Sequence, residues 1–106
     1  MAEERSVSRI DELRQQIDDI DERLVQLLSA RAACALAIGQ EKKLLGLEVY
    51  QPSREAEVIG HVRRINQGPL DNEAMKRLFE RIIDEARRLE RIADEEDQQQ
   101  GQRGDS

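Results

Sequence analysis

Residues 8–44 read SRIDELRQQIDDIDERLVQLLSARAACALAIGQEKKL, and the spacing of apolar residues within them decides the fold. Ile10, Leu13, Ile17, Ile20, Leu24 and Leu27 follow one another at alternating steps of three and four, the period of one helix face. Within the stretch there is no proline and a single glycine, Gly39. Ser8 followed by Asp11 and Glu12 suits a capped, acidic helix start. We therefore expect one continuous helix over residues 8–44. At about 1.5 Å per residue it would be ~55 Å long, against a radius of gyration of about 13 Å for a compact domain of about 100 residues. An apolar stripe on such a rod needs cover, and a homodimer that packs the long helices together supplies it.

Beyond that helix, LGLEVYQP at 45–52 combines Gly46, the β-favouring pair Val49 and Tyr50, and Pro52, so the chain turns here. Pro52 fits a first helical position, and Val58, Val62 and Ile65 carry an apolar stripe to about residue 66. Gln67, Gly68 and Pro69 end that helix. Asp71 or Asn72 can cap a third, whose apolar positions include Met75, Leu78, Phe79, Ile82, Ile83, Ala86 and Leu89 and which should run to about Ala93. Residues 94–106, DEEDQQQGQRGDS, contain no apolar side chain and are expected to form a disordered, acidic, Gln-rich tail. The Arg103, Gly104, Asp105 tripeptide in it matches an adhesion motif by chance. The organisation expected is an N-terminal extension at 1–7, an all-α three-helix domain at 8–93 and the tail at 94–106.

Composition narrows the function. With 106 residues there is room for one domain of ordinary size. Charged residues make up 38%, with one Phe, one Tyr and no Trp, a balance that fits surface-rich helices and not a β-sandwich. Seventeen Lys and Arg against 23 Asp and Glu give −6, which argues against a nucleic-acid partner. The start MAEERSVSR has no apolar stretch of a signal peptide, and no apolar run approaches the roughly 18 residues of a membrane span. A cytoplasmic protein with no membrane role is expected. The single cysteine, Cys34, has no partner for an intramolecular disulfide and reads as a small hydrophobe among alanines. The single histidine, His61, has no Cys or second His at metal-ligand spacing and reads as a surface residue, so no metal is expected.

The informative charges are those on the apolar stripe. Extending the three-four alternation past Leu27 reaches Arg31, Cys34, Ile38 and then Lys42. A guanidinium on a core-facing side needs an internal carboxylate or an anionic ligand, because leaving it unpaired would cost several kcal/mol. Arg31 and Lys42 are eleven residues apart, about 16 Å along the axis on a shared face. Arg54 lies four residues before Val58, and Glu90 four after Ala86. Each alone is explained by a long side chain reaching out from a stripe edge, but four such placements are not. Arg14 lies about 25 Å from Arg31 on a continuous helix, so it would reach the same ligand only from a second subunit. Its alternative is a surface pairing with Asp11 or Asp18.

These residues resemble the all-helical chorismate mutases of the AroQ class over roughly residues 8 to 92. The carriers are IDELRQQIDDIDERLVQLLSAR with Arg14 and Arg31, IGQEK ending at Lys42, VYQPSRE with Arg54 and Glu55, and LFERIIDEARRLE ending at Glu90. The resemblance implies an intertwined all-α homodimer of the chorismate mutase type II fold. It would convert chorismate, a dicarboxylate, to prephenate in aromatic amino acid biosynthesis without a cofactor. By position, Arg31 and the partner's Arg14 would bind the substrate carboxylates, and Lys42 would contact a carboxylate and the ether oxygen. Arg54 would support the anion site, and Glu55, helped by the backbone of Gln51, would accept the ring hydroxyl. Glu90 would face the ether oxygen.

A pericyclic rearrangement needs no nucleophile, metal or obligatory proton relay, so the lack of a Ser/His/Asp set is expected. What helps is holding the flexible enolpyruvyl group in its reactive fold and placing donors where charge grows on the ether oxygen. Glu90 stands where other members have glutamine, and a carboxylate donates a hydrogen bond only when protonated, so activity is expected to rise toward mildly acid pH. Ala86 stands where some have serine, and Gln51 where some have aspartate, so Ala86 is given no polar role. Two rivals remain: a lyase that eliminates pyruvate from isochorismate on the same fold, and a noncatalytic helical dimerisation or regulatory module. Arg14, Arg31, Lys42, Arg54, Glu55 and Glu90 together argue against the module, since apolar residues would serve a scaffold better.

Overall fold

In the computed structural model, which describes residues 2–104, the described residues form three helices and no strand: α1 (Ala2–Leu44), α2 (Pro52–Ile65) and α3 (Asn72–Gly104). The chain divides into two units, Met1–Arg31 and Ala32–Ser106.

The first unit is the leading part of α1. The helix starts at Ala2, not at residue 8, because Ala, Glu and Arg ahead of Ser8 are helix formers, with Glu3 and Glu4 at the positive helix end. The expected extension at 1–7 is thus helical over its described residues. The apolar stripe stands uncovered: Ile10, Leu13, Ile17, Ile20, Leu24 and Leu27 are between 42% and 67% exposed.

In the second unit α1 stops where Gly46 allows it. The N–H of Leu47 donates to the carbonyl of Lys42 at 2.8 Å, and that of Gly46 to the carbonyl of Lys43 at 3.1 Å. This paired capping motif requires the left-handed backbone that Gly46 adopts at φ 72°. Gln51 is extended (φ −135°, ψ 94°) and opens α2 with its backbone, its carbonyl accepting from Arg54 N at 3.1 Å and Glu55 N at 3.4 Å. Pro52 takes the first helical position as its fixed φ favours.

Helices α2 and α3 pack on each other. Val62 is buried at 4% exposure, and Val58 and Ile59 on α2 with Met75, Phe79, Ile82, Ile83 and Ala86 on α3 are half-buried. Both sets recur at helical steps, so two stripes meet. The connection is held by Asn66, whose amide donates to the carbonyl of Leu70 (2.8 Å) and to Oδ1 of Asn72 (2.9 Å), while its Oδ1 accepts from Gly68 N (3.1 Å). Asp71 caps α3, its Oδ1 accepting from Ala74 N at 2.7 Å. Asp71→Ala is therefore expected to destabilise the protein by about 1 kcal/mol, measured as a lower urea midpoint with an unchanged slope. A change of less than a few tenths would show the cap to be idle.

Helix α3 continues to Gly104, where the residues alone suggest a disordered tail from 94 onward. The physical reason is that Glu, Gln and Arg are good helix formers, so an existing helix propagates through them at little cost per residue.

Candidate active site

The site residues of the second unit sit on three segments. Lys42 is in the last turn of α1, where the negative helix end favours a cation, and its backbone is fixed by the Leu47 hydrogen bond. Its side chain is half-buried, and no carboxylate forms an ion pair with it among the described residues. The neighbouring Lys43 is engaged by Asp94 of α3.

Opposite stands Glu90 on α3, half-buried. Burial pushes its carboxyl above the ordinary carboxylate range, opposed in part by the charges of Lys42, Lys43 and Arg87. Desolvation penalises the anion more than these cations favour it. The carboxyl lies beside Gly39 of α1. Gly39 is buried, and a Cβ there would stand 3.6 Å from Cδ and 3.7 Å from Oε1 of Glu90. A methyl group there would be in ordinary contact with that carboxyl, so the glycine lets Glu90 approach α1 with no side chain between them.

The start of α2 carries the remaining site candidates of this unit. Glu55, half-buried in the first turn, forms an ion pair with Arg87 of α3. Arg54 turns outward, 67% exposed, and donates to Glu57 at 3.2 Å one turn along α2. Gln51 is exposed and makes no side-chain cap bond, so its contribution is its backbone. Arg14, exposed, and Arg31, half-buried, belong to the unit Met1–Arg31.

The structure thus brings Lys42 and Glu90 within electrostatic reach of each other. It also adds residues that the sequence reading does not single out. Gly39 is visible as the lone glycine of a long helix; Arg87 carries no signal, since Arg88 beside it is of the same type. His61 and Cys34 are exposed. Among the described residues no group of three His, Cys, Asp or Glu is placed to hold a metal, and no helix is long and apolar enough to cross a membrane.

Comparison with known proteins gives this arrangement a family. The family model described as chorismate mutase type II matches residues 13–91. A bifunctional chorismate mutase/prephenate dehydratase of Stutzerimonas stutzeri is 43% identical over 83 residues, which cover 74% of this chain and 23% of that protein. The chain therefore spans about a quarter of the length of that relative. A chorismate mutase of Methanocaldococcus jannaschii is 25% identical over 87% of this chain and 94% of its own length. Among solved structures, a chorismate mutase of Thermus thermophilus (form II) superposes with a TM-score of 0.76 at 34% identity, covering 78% of this chain and 94% of that one. The three helices, their order and the residues matched agree: the chain belongs to the chorismate mutase type II family.

Proposed function

We propose that the protein is a chorismate mutase, rearranging chorismate to prephenate as a homodimer in aromatic amino acid biosynthesis. The observation that carries this reading is the pairing of Lys42, a cation with no ion-pair partner among the described residues, with Glu90, a carboxyl held toward its neutral form. A protonated Glu90 donates one hydrogen bond and Lys42 up to three, which is the donor set that negative charge on a breaking ether oxygen calls for. Arg31 and Arg14 of the partner subunit bind the two substrate carboxylates, with Arg54 adding positive charge nearby. Glu55 accepts the ring hydroxyl.

The dimer rests on the uncovered stripe from Ile10 to Leu27. A lone amphipathic helix gains little from its own propensity and needs its apolar face packed to persist, and a second copy of the same stripe is self-complementary.

Chorismate consumption with product identification tests the activity: prephenate supports the reading, whereas no turnover of chorismate with pyruvate release from isochorismate would assign the lyase. Subunit sharing has its own test. Arg14→Ala and Arg31→Ala proteins are each expected to be nearly inactive, and unfolding and refolding them together restores about a quarter of wild-type activity, since half the dimers are mixed and each carries one intact site. No recovery, with mixed dimers demonstrated, would place both arginines in one subunit's site.

A further inference from the structure

Arg87 enters that chemistry only through its charge near Glu90, yet two other segments of the chain meet it. Its guanidinium carbon lies 4.4 Å from the centroid of the Tyr50 ring, it pairs with Glu55, and Asp84 one turn back stands 4.0 Å away. Tyr50 belongs to the connection between α1 and α2, Glu55 to the first turn of α2, and Arg87 to α3. An exposed ion pair orders little, because two long side chains must give up their freedom for a weak attraction. Here the partners retain only 36% and 31% exposure, and the planar guanidinium is laid on an aromatic face. Stacking limits the rotation that ordinarily costs such a pair its strength.

We propose that Arg87 is a positioning residue of the substrate site: stacked on Tyr50, it holds the Glu55 carboxylate in a single orientation before substrate arrives. The inference rests on the reading of Glu55 as acceptor for the substrate's ring hydroxyl. A carboxylate offers about four acceptor lone pairs across two oxygens, so the pair with Arg87 leaves capacity for a hydroxyl donor. A fixed acceptor selects the side of the ring on which that hydroxyl is carried. It also spares substrate the ordering of a mobile side chain on binding.

The test is a double-mutant cycle on chorismate turnover. Arg87→Gln is expected to raise KM about tenfold with kcat changed much less, and Arg87→Lys, which keeps the charge but loses the planar fork, to recover only part. In a Glu55→Gln background the same Arg87→Gln change should leave KM unaltered, because the residue it acts through is already gone. An equal KM increase in both backgrounds, or a change in melting temperature with KM untouched, overturns the proposal while leaving the mutase reading in place. Absence of chorismate turnover in the wild-type protein overturns both.

Discussion

Replacing Lys42 by alanine is expected to lower kcat/KM for chorismate by about 10²–10³-fold, the usual effect of removing one donor from a developing oxyanion. The helical content should stay the same, because the bond that Lys42 contributes to the end of α1 comes from its backbone carbonyl, which alanine retains. Lys43→Ala is the internal control. Its ammonium is taken up by Asp94, so activity should change by a small factor while the α1–α3 contact weakens. Comparable losses for the two variants would mean that net positive charge, and not a placed donor, serves the reaction.

The second large effect concerns protons. Burial raises the Glu90 carboxyl above the ordinary range, so the folded protein holds that proton more tightly than the unfolded chain does. The protonated fraction is full below the unfolded value and is lost as pH rises through the folded one, and the stability linked to it follows the same course. If the neutral acid donates to the ether oxygen, kcat/KM falls as pH rises through that interval. Glu90→Gln donates at every pH, so its profile from about pH 5 to pH 8 should be flat and exceed wild type at the alkaline end. Glu90→Ala should lose about 10²-fold throughout. A Gln variant that keeps the wild-type slope would assign the titration to another group.

What can be read from the residues alone follows from which forces leave a trace in one dimension. An apolar helix face leaves periodicity, so the stripe from Ile10 to Leu27 and that from Met75 to Leu89 announce α1 and α3. Backbone chemistry leaves single letters, so Gly46, Pro52 and Asp71 mark ends that the structure places within a residue or two. Helix propagated by propensity leaves neither mark. Ala2–Val7 and residues 94–104 carry no stripe, and both are helical where the residues alone suggest an extension and a disordered tail.

The site divides the same way. Lys42 and Glu90 stand out as charges on apolar stripes. Arg54 stands out equally, and in the structure its guanidinium pairs with Glu57 one turn along α2. The pairing of Glu55 with Arg87 depends on how α2 lies on α3, a relation between residues 32 positions apart that no local pattern encodes.

Gly39 links the stability of α1 to the state of Glu90. A glycine in a helix interior costs about 1 kcal/mol relative to alanine, so a search for hardier variants would be drawn to replace it. The methyl group would meet the Glu90 carboxyl at ordinary contact distance and deepen its burial, which favours the neutral acid further. Gly39→Ala is thus expected to stabilise the helix and to move the titration of Glu90 to higher pH.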